Sequence, residues 1–244
     1  AGPVFWVFGE GGKAAFAQFV AANQEYQHGE YQKAAESYGR LIRDGFNSAA
    51  LFYNLGNANL KMGNIGRAVL NYERAKVLTP RDADVDYNLA LTREKVADQA
   101  DRPQSELLGW LGSLSASEAY TAFAVVNALF FLLLAVRVWK KNEALYYLAA
   151  ALFTLWLTAG LVAGAKYVSL ANDDRAVVLS EKVSVRAGPS EKETLLFNLH
   201  AGSLVSLTRT EGGYSLVSFS DKKRGWVKAE DVRSILPLPP AQPL

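Results

Sequence analysis

The pattern of hydrophobic and polar residues has two long apolar stretches near the middle of the chain. The first runs from Ala119 to Val136 and the second from Ala144 to Ala165, and neither contains a charged residue. A helix of about 20 apolar residues is long enough to cross the hydrocarbon core of a bilayer. One such run could be a buried core helix, but two adjacent runs joined by a short polar segment predict a hairpin that spans a membrane.

Local signals set the ends of these two predicted spans. The sequence "SASE" has the form of a capping box, in which Ser115 accepts hydrogen bonds from free backbone amides and Glu118 reaches back. We therefore expect transmembrane helix 1 at 116–140, a cytoplasmic turn at 141–143 and transmembrane helix 2 at 144–168.

The charges around the turn predict the orientation of the hairpin. Arg137, Lys140 and Lys141 lie close to the ends of the spans, where positive charge favours the cytoplasmic side. Cations also occur on the outer flanks, but acidic residues accompany most of them. We therefore expect a cytoplasmic turn and both soluble parts of the chain on the opposite side of the membrane, with the lipid bilayer as a partner.

Small and polar residues within the spans suggest where helices touch. Ala159, Gly160, Ala163 and Gly164 have the spacing that lets another helix approach closely. Packing against the first span and packing against another membrane protein both fit this pattern. Asn127 is the strongly polar residue deep in a span, and its amide can bond to a neighbouring helix.

Before the spans, the sequence repeats with a period of 34 residues. "YNL" at 53–55 recurs at 87–89, and a glycine, an alanine and a tyrosine recur in the same step. This period and pattern identify the tetratricopeptide repeat, a helix–turn–helix unit. We expect two and a half repeats at 13–100, of which the last half repeat is a capping helix. Because about three repeats are needed for stability, the stack should lean on the membrane-proximal segment or on a partner.

The first helices of such repeats form a concave groove, which we expect to bind a partner peptide. Tyrosines provide a large contact area and asparagines can bond to an extended backbone. The alternative is that several of these polar side chains only satisfy neighbouring turns. The predicted groove residues are Asn23, Tyr26, Tyr53, Asn54, Asn57, Lys61, Tyr87 and Asn88.

After the second span, the pattern changes to short β-rich runs separated by turns such as "AGPS" and "EGG". This spacing predicts a small all-β barrel. "VSVRAGPS", followed later by "GWV", resembles the bacterial Src-homology-3-like domain, which we place at 169–235. The resemblance implies binding of peptidoglycan or peptides, or simple docking, with Trp226 packed on the barrel. The residues expected to point inward are Val183, Val185, Leu204 and Val217.

The remaining segments complete the predicted organisation. They are an N-terminal segment at 1–12, an interfacial linker at 101–115 and a proline-rich tail at 236–244. The fold class is a multidomain α plus β membrane protein. It combines α-helical tetratricopeptide repeats, a two-helix transmembrane hairpin and a small all-β Src-homology-3-like barrel.

Composition and motifs argue against catalysis and nucleic-acid binding. The 26 basic and 24 acidic residues are interspersed, without the basic stripe that nucleic acid requires. The absence of cysteine excludes disulfides, thiol catalysis and cysteine metal sites. "GEGGKA" lacks the glycine spacing of a phosphate loop. His28 and His200 have no partner at a useful spacing. We therefore expect a protein that is not an enzyme and that has no catalytic residue, no metal site and no cofactor.

The order of these parts resembles the BatE family of the Bacteroides aerotolerance operons over nearly the whole chain, and "YNLGNANLKMGNIGRAVLNYERA" is particularly similar. The resemblance implies a non-enzymatic scaffold of an inner-membrane Bat complex. Its partners would be von Willebrand factor A proteins, the envelope protein BatD and a MoxR-type AAA+ ATPase, in oxidative-stress tolerance or envelope integrity. The rival hypothesis is a cell-wall protein that binds peptidoglycan through its β module.

Overall fold

The computed structural model describes residues 10–98, 109–140 and 142–236. Most of the N-terminal segment, the first part of the linker, Lys141 and the proline-rich tail therefore lie outside the described residues. The chain divides into two compact units. One combines Ala1–Pro103 with Asp174–Leu244, and the other is Gln104–Asp173.

The first part of the larger unit is a helical repeat. Its helices are α1 (Glu10–Gln27), α2 (Tyr31–Arg43), α3 (Ala49–Lys61), α4 (Ile65–Leu78) and α5 (Ala83–Arg93). They form two helix pairs, α1–α2 and α3–α4, and α5 packs on α4. The predicted period of 34 residues thus corresponds to the step between successive pairs, and helix α1 begins before the predicted boundary at residue 13.

Glycine and alanine determine how each pair closes. Gly29 and Gly63 end the turns between paired helices with φ of 80° and 77°, a left-handed conformation that favours glycine. At the crossing of α3 and α4, a Cβ on Gly56 would lie 2.7 Å from the ring of Tyr72. Ala68 is fully buried. Small residues therefore let the paired helices approach closely.

The second part of the larger unit is an antiparallel sheet, here called the β module. The hydrogen-bonded order of its seven strands is β3-β2-β6-β5-β4-β1-β7, with β3 and β7 at the edges. The strands are β1 (Arg175–Val178), β2 (Lys182–Arg186), β3 (Leu195–His200), β4 (Leu204–Glu211), β5 (Tyr214–Ser220), β6 (Lys223–Lys228) and β7 (Val232–Ser234).

Residues from all seven strands meet in one core, so the sheet rolls around it instead of lying flat. Val183, Val185 and Val217 point into this core, as the sequence predicts. Leu204 does not, because its neighbour Val205 takes the inward position. Leu204 instead packs, half-buried, against the cluster around helix α4. The expected barrel is therefore a rolled sheet with a second apolar contact on its outer side.

That outer contact joins the β module to the helical repeat. Val69 and Leu89 of the repeat share a buried cluster with Val177 and Ile235 of the β module. The approach is close, since a Cβ on Gly66 would lie 2.5 Å from the carbonyl oxygen of Val178. The β module therefore provides additional support for the short stack, while support from the membrane-proximal segment or a partner stays a prediction.

Charged groups fix the same contact on helix α4. The Glu73 carboxylate is 2% exposed and pairs with Arg93 and, at 3.4 Å, with Arg175 at the start of β1. The Arg74 guanidinium donates to the carbonyls of Ser234 (3.1 Å) and Ile235 (3.2 Å). Burial lowers the pKa of Arg74 to about 10, so this residue remains charged at neutral pH.

A third polar contact lies where the described repeat ends. The Asp98 carboxylate accepts from the His200 backbone N–H at 2.7 Å and from the Ser203 hydroxyl at 3.1 Å, and lies 3.0 Å from His200 Nδ1. The repeat thus contacts the β module through a residue that lies shortly before the smaller unit in the sequence. Arg175 contacts the repeat just after the chain returns.

The smaller unit contains a short helix α6 (Gly109–Ser113) and the two long helices α7 (Ala116–Trp139) and α8 (Glu143–Ala171). The capping box of Ser115 and Glu118 is present as predicted. Both long helices have the length and composition to cross a membrane, with mean hydropathy of 2.2 and 1.9. Helix α8 continues to Ala171, three residues beyond the predicted end at 168, and α7 ends at Trp139.

Gly66→Ala is expected to lower the free energy of unfolding by about 1–3 kcal/mol, because the added methyl group collides with the backbone of the β module. The matched control is Gly39→Ala in α2, where the new Cβ would meet only Arg43 Nη1 at 3.5 Å. Thermal unfolding of the detergent-solubilised chain measures both. Equal midpoints for the two variants would contradict the contact.

Candidate functional site

A cavity of about 280 Å³ opens on the helical repeat. It is lined by side chains from α1, α2 and α3, and four of the predicted groove residues are among them. The remaining four, Tyr53, Lys61, Tyr87 and Asn88, do not line it. The six lining residues are Asn23, Tyr26, Gln27, Tyr38, Asn54 and Asn57.

Two asparagines in this cavity, one period apart, are held in the same way. The Tyr38 hydroxyl donates to Asn23 Oδ1 at 2.6 Å, and the Tyr72 hydroxyl donates to Asn57 Oδ1 at 2.6 Å. Asn54 Nδ2 donates to the same oxygen of Asn23 at 2.9 Å. Each tyrosine comes from the second helix of a pair and each acceptor asparagine from the first.

The tyrosines determine which end of each amide is available to a ligand. Burial raises the pKa of Tyr38 and of Tyr72, so both hydroxyls stay protonated and act as donors. In the structure, the oxygens of Asn23 and Asn57 face the tyrosine hydroxyls and accept from them. Within the described part of the chain, neither Nδ2 group donates to a protein acceptor. The groove therefore presents two oriented amide donors.

Two other predicted groove residues bond mainly to each other. Tyr53 is half-buried with its ring 5.9 Å from that of Tyr72, and its hydroxyl accepts from Asn88 Nδ2 at 2.6 Å. This bond connects α3 to α5, which is the internal role that the sequence left open. Lys61 is exposed, and Tyr87 is 68% exposed beyond the cavity.

Two lining residues were missed from the sequence. Tyr38 lies on a second helix, whereas the predicted groove residues all lie on first helices, yet its hydroxyl reaches the cavity. Gln27 occupies the position of Lys61 one period earlier, so the repeat itself contained the signal.

The lining of the cavity is polar but uncharged, which limits its chemistry. The amides of asparagine and glutamine and the hydroxyls of tyrosine both donate and accept hydrogen bonds. Burial raises the pKa of Tyr26, so its hydroxyl is also uncharged at neutral pH. Such a surface suits neutral amides and carbonyls such as those of a peptide backbone. Among residues 10–98, 109–140 and 142–236, no group of three acidic, histidine or cysteine side chains is placed to hold a metal ion.

A second, more open cleft of about 460 Å³ lies on the β module. The Lys228 ammonium pairs with Glu191 at 2.7 Å beside it. Their hydrogen bond and mutual attraction raise the pKa of Lys228 and lower that of Glu191. The lining residues are Glu191, Gly212, Gly213, Tyr214, Lys228, Ala229 and Glu230. Trp226 is buried, with Arg209 5.2 Å above its ring.

The polar residue predicted deep in the first span bonds to the second. Trp156 Nε1 of α8 donates to Asn127 Oδ1 of α7 at 2.9 Å. The ring of Phe130 stacks on Trp156 at 5.8 Å. The hairpin therefore satisfies this amide within its own two helices.

The small residues of α8 divide between two directions. A Cβ on Gly160 would lie 3.2 Å from the Phe123 ring of α7, and Ala163 is buried. Ala159 is half-buried. Gly164 is exposed, and a Cβ added there would meet no other atom within 4 Å. The expected single small face is therefore split, with Gly160 against α7 and Gly164 in open space.

The cations of the turn have local contacts at the helix ends. The Arg137 guanidinium lies 5.0 Å from the ring of Tyr146, which joins the ends of α7 and α8. Lys140 is the C-cap of α7, and Lys141 lies outside the described residues.

A protein with tetratricopeptide repeats in its name is similar in sequence to part of this chain. No protein-family model matches the chain. Tetratricopeptide repeat protein 16 from Mus musculus is 31% identical over 71 residues, which are 29% of this chain and only 9% of that protein. The crystal structure of PcrH from Pseudomonas aeruginosa covers 61% of this chain and 92% of its own, with 17% identity and a TM-score of 0.33. The finer assignment to the BatE family stays a prediction.

The two glycines of α8 are expected to respond differently to substitution. Gly160→Leu should destabilise the hairpin by about 1–3 kcal/mol, since the larger side chain must displace Phe123. Gly164→Leu, the matched control, should leave its stability unchanged because the added atoms enter open space. The solubilised variants are titrated with a denaturing detergent, and the detergent concentration at half-unfolding is compared between them. Equal losses would refute the split.

Proposed function

We propose that this protein is a membrane-anchored, non-enzymatic scaffold that binds an extended segment of a partner protein in its repeat groove. The observation that carries the proposal is the pair of asparagine amides at Asn23 and Asn57. Both are oriented by buried tyrosines and lie one structural period apart.

An extended peptide is the ligand whose chemistry fits this pair. Its backbone carbonyls are acceptors that recur at regular distances, and each can take a hydrogen bond from an Nδ2 donor. Tyr26 adds a large, half-buried surface, and Gln27 adds a second amide at the edge of the cavity. Because the donors are already held in place, little side-chain entropy is lost on binding.

Two features support anchoring in a membrane. A core helix of a soluble protein is mostly buried, whereas only 6% and 11% of the apolar windows of α7 and α8 are buried. The exposed side chains include Leu132, Leu155 and Leu161, which lipid would cover. The repeat and the β module share one buried cluster, which supports their location on the same side of that membrane.

The cations at Arg137, Lys140 and Lys141 favour a cytoplasmic turn, and hence a periplasmic groove in a bacterial inner membrane. By resemblance to the BatE family, the partners are Bat von Willebrand factor A proteins and BatD, working with a MoxR-type ATPase. The process served is then stress tolerance or envelope integrity.

Catalysis is not part of this proposal. The groove lining contains no nucleophile paired with a base and no carboxylate or histidine to transfer protons. Asparagine and tyrosine at these positions suit recognition.

A second candidate function is attachment to the cell wall. It is favoured by the cleft on the β module, where Tyr214, Lys228 and Glu230 offer an aromatic face and both charges to a sugar–peptide polymer. Peptidoglycan has acceptors and charged groups that match such a mixed surface.

Asn23→Asp combined with Asn57→Asp should abolish partner recovery while leaving stability intact. Aspartate keeps the oxygen that Tyr38 and Tyr72 require, but replaces the donor with a negatively charged acceptor. Each change should weaken binding about tenfold, or about 1.4 kcal/mol. Tagged chain is solubilised from a cell that carries the Bat operon, and the captured proteins are identified by mass spectrometry.

Asn64→Asp, an exposed asparagine in a turn of the repeat, is the control with the same change of charge. Full recovery of every partner by the double variant would refute the groove assignment. In parallel, the intact chain is sedimented with purified sacculi. The cell-wall function would be favoured by two results together. The chain binds sacculi but the Tyr214→Ala variant does not, and no Bat protein is captured.

The proposed topology can be tested by single-cysteine labelling, because the chain contains no native cysteine. Cysteines at Gln24 and Lys222, exposed in the repeat and the β module, should both react with an impermeant thiol reagent added to the periplasmic side. A cysteine at Trp139, which is 89% exposed near the turn, should react only after the membrane is permeabilised. The reverse pattern would show the opposite orientation.

A further inference from the structure

Helix α5 has the sequence of a first repeat helix, but no second helix packs beside it among the described residues. Three of its side chains are exposed as a result. Tyr87 is 68% exposed and Leu91 is 38% exposed, and Ala90 between them is also exposed. These positions, three and four apart, share one face of the helix.

The same face is covered in both preceding repeats. One period before Ala90 lies Gly56, which is buried under the Tyr72 ring of α4. Two periods before it lies Ala22, fully buried. Phe19 and Tyr53, which correspond to Tyr87, pack on the rings of Tyr38 and Tyr72, each at 5.9 Å.

The covering helices share a simple pattern. Each has an alanine that allows close approach, Ala34 or Ala68, and a tyrosine four residues later that fills the space above the small residue of the first helix. The chain does not repeat this pattern at the next step of the 34-residue period. One period after Ala68 and Tyr72 it has Arg102 and Glu106, next to Pro103. The sequence therefore lacks the small–aromatic pair at these two positions.

We propose that the open face of α5, formed by Tyr87, Ala90 and Leu91, binds an amphipathic helix of a partner protein, which completes the third repeat. The occupant carries a small residue followed four positions later by an aromatic residue. Its aromatic ring lies over Ala90 and against Tyr87, as the Tyr72 ring lies over Gly56 and against Tyr53. The contact continues the existing helix pairing of the stack by one step and is separate from the amide groove.

The chain itself provides the probe for this site. A labelled peptide of residues 64–79, which contains Ala68 and Tyr72, should bind the full chain in lipid nanodiscs and give saturable fluorescence anisotropy. The same peptide with Tyr72→Ala should bind at least tenfold more weakly. The chain variant Ala90→Leu should reduce binding of the parental peptide similarly, because leucine fills the place of the incoming ring. Ala90 is exposed, so the fold is retained, as the thermal midpoint will verify.

Three results would overturn the proposal. These are the absence of saturable binding at millimolar peptide, equal binding of the Tyr72→Ala peptide, and equal binding by Ala90→Leu. If the parental chain has the particle mass of two copies and the Ala90→Leu variant that of one copy, the face binds a second copy of this chain instead. The chain with both Asn23→Asp and Asn57→Asp should bind the peptide normally, because these changes lie outside the face of α5. Failure of the groove proposal can therefore be distinguished from failure of this one.

Discussion

The architecture of the larger unit depends on one contact, the packing of the β module against helix α4. Glu73 shows why this contact is specific. Its carboxylate is buried between Arg93 of the repeat and Arg175 of the β module, and an unpaired charge there would be strongly destabilising. The ion pair therefore requires one particular arrangement of the two parts, while the apolar cluster of Val69, Val177 and Ile235 supplies much of the stabilisation.

Helix α4 connects this contact to the candidate site. Tyr72, Glu73 and Arg74 are consecutive, yet Tyr72 bonds to Asn57 in the groove while its two neighbours bond to the β module. The same helix thus orients the Asn57 amide and packs on the β module. A rigid support is useful for a binding groove, because donors that are already fixed lose little freedom when a ligand arrives.

Much of this organisation could be predicted from local sequence. The period of 34 residues, the two apolar runs and the alternating β segments each have a simple physical origin, and each corresponds to elements in the structure. The groove was partly predictable, because Asn23 and Asn57 share a helix face one period apart. Tyr38 was missed because its ring serves packing while its hydroxyl serves the cavity. The docking of the β module could not be predicted, since Glu73 and Arg175 are 102 positions apart and neither has a local signal. The split of Gly160 and Gly164 depends similarly on the rotation of α8 against α7.

The contacts at Asp98 and Arg175 have a consequence for biogenesis. The soluble unit is made from two stretches of chain, and the whole hairpin is synthesised between them. When the repeats emerge from the ribosome, the surface of α4 that packs on Val177 and Ile235 has no partner yet. Its closure must await residues made after both apolar helices. The order of synthesis therefore makes completion of the soluble fold a late event, because it requires strands that are synthesised after the hairpin.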